Sequence, residues 1–208
     1  ARREGSGIEL YALDADPYAP RRLGLAAELS VALERDEVDV YVQPKMRLHD
    51  GVVVGAEALV RWTHPRLGPL NPDQFIPAAE HTGVIRSLTL YVVKNALAQC
   101  RAWRDAGLDL GISVNLSVRN LFDSHLVEDI GQAINDAGVP ASCLTLELTE
   151  STVMGESHRS MAVLTGLQDL GVSLSVDDFG TGYSSLTHLR RLPVTELKID
   201  KSFVMTMT

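Results

Sequence analysis

The sequence has very few of the residues and runs that mark exported, zinc-binding or membrane-spanning proteins. Its 208 residues include two cysteines, Cys100 and Cys143, which are far apart and form no CxxC pair. Such sparse cysteine suits a reducing compartment. No apolar run approaches the roughly 20 residues of a membrane span, and no signal peptide opens the chain. We therefore expect a cytoplasmic protein, with any membrane tether in parts outside this sequence.

Basic residues are also in short supply. The chain has 19 Lys and Arg residues against 27 Asp and Glu residues, for a net charge of -8. A nucleic-acid polymer is therefore not an expected partner, because no basic surplus is available to neutralise phosphates. The phosphate-cradling GxxxxGK, the dinucleotide GxGxxG and the esterase GxSxG motifs are all missing, so those chemistries lack support.

An alternation of strands and helices begins at Leu25, after a poorly periodic segment 1–24 that we interpret as a short strand and a linker. Two strands, at 39–47 and 52–62, are joined by a hairpin-type turn at His49-Asp-Gly51. Further strands are predicted at 111–117, 144–150, 172–178 and 196–200, and helices at 25–34, 72–80, 85–106, 121–137, 158–170 and 185–192. This alternation indicates a parallel sheet with helical crossovers.

The strands show a period of two, with one apolar face and one polar face. In 144–149 leucines alternate with Thr145, Glu147 and Thr149, and in 112–117 apolar residues alternate with Ser113, Asn115 and Ser117. An open doubly wound sheet covered by helices would be apolar on both faces. A barrel has helices outside and a separate interior, so the pattern favours an α/β barrel with its site at the carboxyl ends of the strands.

Five strands carry a polar or charged residue toward that end: Glu57, Asn115, Glu147, Asp177 and Lys198. Asp177 is followed by Asp178 and by Gly180-Thr-Gly182, which on its own would also suit a polar turn. The four carboxylates and the lysine sum to about -3, which is costly to desolvate without cations. Oxygen ligands without clustered His or Cys suit Mg²⁺ or Mn²⁺, and two such ions would prepare the site for a phosphate ester.

Two basic residues have open interpretations. Lys198 either orients a metal-activated water or is a buried ion-pair partner of Asp177 or Asp200. Arg61, four residues beyond Glu57, either holds a phosphate oxygen or forms a surface pair with an acid such as Asp73. An enolase-like barrel, with one principal magnesium ion and a lysine base, is a further reading of the same residues. The aspartate doublet and Asn115 argue against it.

Ordered motifs make the sequence resemble a known family. They are Tyr41-Val-Gln-Pro, Glu57-Ala-Leu, Val60-Arg-Trp-Thr-His-Pro65, Phe75-Ile-Pro-Ala-Ala-Glu80, Asn115-Leu-Ser, Glu147-Leu-Thr-Glu-Ser151, Asp177-Asp-Phe-Gly-Thr-Gly-Tyr-Ser-Ser-Leu186, Lys198-Ile-Asp and Ser202-Phe-Val. In this order they resemble the EAL-domain family of cyclic di-GMP phosphodiesterases, over about Leu25 to Thr206. The resemblance implies a TIM-like (β/α)8 barrel with an antiparallel first strand. It also implies hydrolysis of cyclic di-GMP to the linear dinucleotide pGpG with two Mg²⁺ or Mn²⁺ ions.

The resemblance also implies roles for individual residues. The metal ligands would be Glu57, Asn115, Glu147, Asp177 and Asp178. The catalytic residues would be Glu57, Lys198, which contacts the catalytic water, and Glu150, which steadies the loop after Asp178. The substrate-binding residues would be Gln43, Leu59, Arg61 and Asp200. A homodimer is expected through the region 181–192, where Gly182 and Tyr183 would influence association.

Domain organisation follows from the same resemblance. Residues 1–24 are expected to be a tail or linker from a preceding domain, because Arg3 to Tyr11 resembles the end of a GGDEF domain. Residues 25–208 would be an EAL domain without its last two strands, since those strands should follow Lys198. A covalently linked GGDEF or sensory domain is therefore an expected partner. The alternative function is a non-catalytic receptor, or an incomplete and inactive EAL fragment, that binds cyclic di-GMP.

Overall fold

The computed structural model describes residues 19–150, 158–180, 189 and 192–205, with side chains from Leu23 onward and those of most later residues. The predicted strand in 1–24, most of the predicted helix 185–192, and the proposed dimer residues Gly182 and Tyr183 lie outside the described residues. Within the described part, no helix is both long and apolar enough to cross a membrane.

One mixed sheet runs through the described residues. Its strands are β1 Val38–Met46, β2 Val53–His64, β3 Gly68–Leu70, β4 Gly111–Asn115, β5 Leu144–Thr149, β6 Ser173–Phe179 and β7 Glu196–Ile199. The strand order is β1-β2-β4-β5-β6-β7, with β3 paired to β2. β1 is antiparallel to β2, and every later pair along this order is parallel. The predicted antiparallel first strand is therefore confirmed, whereas the short β3 was not predicted.

The helices lie between the strands as the crossover pattern predicted. They are α1 Ala19–Glu34, α2 Pro72–Thr82, α3 Ile85–Asp105, α4 Leu126–Ala137, α5 His158–Asp169 and α6 Lys201–Met205. α1 begins at Ala19, earlier than the predicted Leu25. α4 begins later than predicted, because Val118–Phe122 forms a separate 3-10 helix whose start is capped by the Ser117 side chain.

The two faces of the central strands differ as the period-two pattern predicted. The apolar face is fully buried in the main core, with Ile112, Val114, Leu144, Leu146, Leu148, Leu174 and Val176 at 0–1% exposure. The opposite face carries buried polar residues, among them Ser113, Glu147 and Ser175. A polar inner face with helices on the other side agrees with a TIM-like architecture. In the strand order of the described residues, β1 and β7 are the two ends.

Gly55 of β2 pairs in register with Gly111 of β4, so two residues without side chains are adjacent in the sheet. A Cβ atom on Gly55 would lie 2.8 Å from the Gly111 carbonyl oxygen, and a backbone atom cannot move aside cheaply. We expect Gly55→Ala to lower the free energy of unfolding by about 1–3 kcal/mol, as overpacking does. Urea unfolding followed by circular dichroism measures the change.

Gly24→Ala provides the matched control. Gly24 lies in α1, and nothing is within 4 Å of a Cβ placed there. Since alanine favours helix, this variant should gain about 0.5–1 kcal/mol. Equal free energies of unfolding for Gly55→Ala and the parent protein would contradict a rigid approach of β2 and β4.

Candidate active site

Three carboxylates from three strands meet on the polar face of the sheet. Glu57 of β2, Glu147 of β5 and Asp177 of β6 each offer an oxygen within 4.8 Å of the other two. Glu147 is 1% exposed, and the other two residues are partly buried. Parallel strands bring their carboxyl ends to one edge of the sheet, so acids distant in sequence converge there.

The ammonium group of Lys198, on β7, lies among these three carboxylates. Its Nζ donates to Glu147 Oε2 at 2.6 Å, to Asp177 Oδ2 at 2.8 Å and to Glu57 Oε2 at 3.2 Å. Burial lowers the pKa of Lys198, but its hydrogen bonds to Asp177 and Glu147 and the negative charges of Glu147 and Glu57 outweigh burial, so the pKa is raised overall. Lys198 is therefore protonated at neutral pH in this arrangement.

Asn115 joins the cluster through Glu57. Its Nδ2 donates to Glu57 Oε1 at 2.9 Å, while Glu57 Oε2 faces Lys198. Asn115 also pairs in register with Glu147 on the neighbouring strand. Four of the five predicted metal ligands are thus brought together.

Asp178, the fifth predicted ligand, lies outside the three-carboxylate cluster and is exposed. Its φ is +54°, a left-handed conformation that aspartate tolerates better than most residues, and its backbone N–H donates to Asp177 Oδ1 at 2.9 Å. Partial burial and the nearby charges of Asp177 and Asp200 raise the pKa of Asp178. Of the two adjacent aspartates, only Asp177 therefore belongs to the three-carboxylate cluster.

Glu150 contacts the turn that follows Asp178. It is 4% exposed, and its Oε2 accepts a hydrogen bond from the Gly180 N–H at 2.7 Å. Gly180 has a φ of +101°, and a Cβ there would lie 2.6 Å from the Phe203 ring. Only glycine fits this turn, which suits the expected role of Glu150 in steadying the loop.

The expected substrate residues are distributed around the cluster. Leu59 and Arg61 line a cavity of about 250 Å³ that also reaches Asn115 and Glu147. Arg61 lies 6.0 Å from the centre of the Tyr41 ring, and no ion pair joins it to Asp73 although both residues are described.

Gln43 and Asp200 are not among the residues that line this cavity. Gln43, on β1, is exposed and pairs in register with Glu57. The Asp200 carboxylate accepts from the Ser202 N–H at 2.9 Å at the start of α6, and hydrogen bonds from the Ser202 side chain and backbone lower its pKa. Lys198 contacts Asp177, as one reading expected, and its described hydrogen bonds do not include Asp200.

Sequence reasoning missed Lys45. Its Nζ donates to Ser113 Oγ at 2.5 Å and to Glu147 Oε1 at 2.9 Å, and it lies 3.5 Å from Glu196 Oε1. The available signal was alternation along β1, because Gln43 is opposite Glu57 and Lys45, two residues later, lies on the same face.

The donor set fits a hard divalent cation. Glu57, Glu147 and Asp177 supply carboxylate oxygens, and Asn115 supplies an amide oxygen. No histidine or cysteine belongs to this cluster of described residues, which disfavours zinc and suits Mg²⁺ or Mn²⁺. The ligand types do not distinguish between these two ions.

Two curated proteins are similar in sequence to most of this chain. The chain is 43% identical over 187 residues to the bifunctional diguanylate cyclase/cyclic di-GMP phosphodiesterase MucR of Pseudomonas aeruginosa, covering 89% of this chain and 27% of that protein. It is 44% identical over 188 residues to the cyclic di-GMP phosphodiesterase NbdA of the same organism, covering 90% of this chain and 24% of that protein. The chain thus spans about a quarter of the length of these relatives.

Two solved structures are also similar to this chain. The MucR phosphodiesterase in complex with c-di-GMP has a TM-score of 0.81 and 43% identity, covering 88% of this chain and 74% of that chain. The FimX EAL domain of Pseudomonas aeruginosa bound to c-di-GMP has a TM-score of 0.79 and 25% identity, covering 88% and 73%. A profile of the EAL domain matches residues 26–208. From this match and these relatives, the chain belongs to the EAL domain family.

Proposed function

We propose that this chain is a metal-dependent phosphodiesterase that hydrolyses cyclic di-GMP to the linear dinucleotide pGpG. The observation that carries the proposal is the meeting of Glu57, Glu147 and Asp177, from three strands, around the Lys198 ammonium. A receptor has no need to concentrate three carboxylates where an anionic ligand binds, because like charges repel it. The named activity of MucR and NbdA supports the choice of substrate.

Glu57, Asn115, Glu147 and Asp177 would hold one Mg²⁺ or Mn²⁺ ion, and Asp177 with Asp178 would hold a second. When bound, such ions make a water acidic and neutralise charge on a phosphate. Asp178 is not a member of the cluster of Glu57, Glu147 and Asp177, which suits a ligand for a second ion rather than a further ligand for the first.

Lys198 would hold and orient the attacking water with its protonated Nζ. An ammonium group has only donors to offer, as its hydrogen bonds to the three carboxylates illustrate. Hydrolysis forms one bond from the water oxygen to phosphorus and breaks one phosphorus–oxygen ester bond, and the leaving oxygen takes up a proton. Glu150 would keep the turn after Asp178 in place through its bond to the Gly180 N–H.

Substrate contacts would come from Gln43, Leu59, Arg61 and Asp200. Arg61 is the best supported of these, because it lines the cavity beside Asn115 and Glu147 and has no carboxylate partner among the described ion pairs. A guanidinium group can donate two parallel hydrogen bonds to a phosphate. Asp200 is the weakest, since its carboxylate caps α6.

Association and linked domains are part of the same proposal. A homodimer through residues 181–192, and a covalently linked GGDEF or sensory domain before residue 25, rest on the resemblance of the sequence to the family. The name of MucR, which includes a diguanylate cyclase, is consistent with a linked GGDEF domain.

The direct test incubates the protein with cyclic di-GMP and Mg²⁺ or Mn²⁺ and resolves the products by chromatography. We expect pGpG with either ion and no product with a chelator. Glu57→Ala should reduce the rate by roughly a hundredfold or more, because it removes a ligand that also holds Asn115. Glu34→Ala, at the exposed end of α1, is the control and should keep the parent rate.

Two outcomes would contradict the enzyme proposal. The first is tight binding of cyclic di-GMP that requires Arg61 but no metal and gives no pGpG, which would identify a receptor. The second is hydrolysis that persists equally in Glu57→Ala, which would place the chemistry elsewhere.

A further inference from the structure

Lys45 reaches across the polar face from the first strand to the middle of the sheet. It lies on β1, opposite Gly55, and its partners Ser113, Glu147 and Glu196 belong to β4, β5 and β7. Gly55 has no side chain at the directly opposed position on β2. Lys45 is 28% exposed along its side chain, so its ammonium group is largely withdrawn from water.

The two carboxylate oxygens of Glu147 accept hydrogen bonds from two different lysines, Lys45 and Lys198. Lys45 donates to Oε1 at 2.9 Å, and Lys198 donates to Oε2 at 2.6 Å. The same Lys198 ammonium also donates to Glu57 Oε2 and Asp177 Oδ2, so Oε2 is the Glu147 oxygen on the side of the other two carboxylates. The Glu147 side chain has no exposed surface.

The hydrogen bonds from Lys45 and Lys198 fix which oxygen of Glu147 faces the other carboxylates. Ser113 Oγ accepts a second bond from Lys45, which anchors the ammonium on the Oε1 side. The buried Glu147 carboxylate already has one charged partner, Lys198. Lys45 is therefore not needed to neutralise the charge of Glu147. The position of Lys45 instead restricts the rotation of the carboxylate.

We propose that Lys45 is a positioning residue that restricts Glu147 to ligation through one oxygen and thereby limits the divalent-metal affinity of the cluster. The inference rests on the proposed function, because it takes the cluster to be the metal site. Loss of Lys45 frees Oε1 as an additional ligand atom and removes a positive charge that repels the cation. Both effects strengthen metal binding.

The test is a titration of the intact protein with Mn²⁺, with free ion measured by electron paramagnetic resonance. Lys45→Met keeps the length of the side chain and should lower the Mn²⁺ dissociation constant by about tenfold. Lys45→Arg keeps the charge and the donor and should restore the parent value. Lys94→Met removes one charge from the exposed face of α3 and controls for net charge.

Ser113→Ala is a second, smaller perturbation in case Lys45→Met does not fold. It removes the hydroxyl that anchors Lys45 and should lower the dissociation constant by roughly twofold to threefold. Circular dichroism establishes that each variant is folded.

The outcomes separate this inference from the proposed function. If the parent protein binds Mn²⁺ and both Lys45→Met and Ser113→Ala bind it with equal or weaker affinity, the role of Lys45 is overturned and the metal site stands. If the parent protein does not bind Mn²⁺, the metal site is overturned and the role of Lys45 with it. Tighter binding in Lys94→Met as well would also overturn the inference, because it would trace the effect to net charge.

Discussion

Replacing Glu147 with glutamine should abolish measurable Mn²⁺ binding and reduce cyclic di-GMP hydrolysis by roughly a thousandfold. Glu147 is the one fully buried carboxylate of the three-carboxylate cluster, and both of its oxygens are held by ammonium groups. Glutamine preserves the shape but places an amide N–H₂ group against one of the lysines, donor facing donor. The variant therefore loses a ligand charge and leaves a buried lysine poorly paired.

Three measurements check this expectation: Mn²⁺ titration, product chromatography and unfolding in urea. The stability of Glu147→Gln should also fall, since breaking a buried ion pair costs about 3–5 kcal/mol before relaxation. Glu34→Gln, at the exposed end of α1, carries the same chemical change outside the site and should behave like the parent protein. Retention of Mn²⁺ affinity by a folded Glu147→Gln protein would rule out Glu147 as a ligand.

Lys198→Met should reduce hydrolysis by about 10²–10⁴-fold while leaving Mn²⁺ affinity undiminished. Lys198 Nζ donates to the same three carboxylates that would hold the ion, so its removal eliminates a cation that competes for their oxygens. The rate falls because the attacking water loses its protonated partner. The separation of rate from affinity distinguishes Lys198 from a metal ligand, whose loss lowers both.

Single-turnover kinetics at saturating Mn²⁺ and a Mn²⁺ titration together measure that separation. Lys94→Met is the matched control, because Lys94 is an exposed lysine on α3, outside the site. Parent rates in Lys198→Met would show that the lysine is only a structural ion-pair partner, the alternative that the sequence left open. A large loss of Mn²⁺ affinity would instead mean that Lys198 organises the carboxylates.

The candidate site was largely predictable because its signal is local to each strand. Side chains alternate across a strand, so one polar residue among apolar neighbours identifies the inner face without knowledge of the fold. Glu57, Asn115, Glu147, Asp177 and Lys198 were found in this way, and the structure brings all five together. Lys45 was missed because β1 runs antiparallel to β2, so it approaches the cluster from the opposite direction to the other strands.

The sequence by itself determined the order of strands and helices, the polar inner face and the oxygen-rich set of ligands, since these depend on periodicity and residue type. Only the tertiary structure decided which oxygens meet. It placed Lys198 among three carboxylates, assigned Glu147 Oε1 to Lys45, and used Asp200 to cap α6. It also gave Asp178 a positive φ and joined its backbone N–H to the Asp177 carboxylate. Contacts between strands depend on register and side-chain rotamers, which are fixed only when the whole sheet packs.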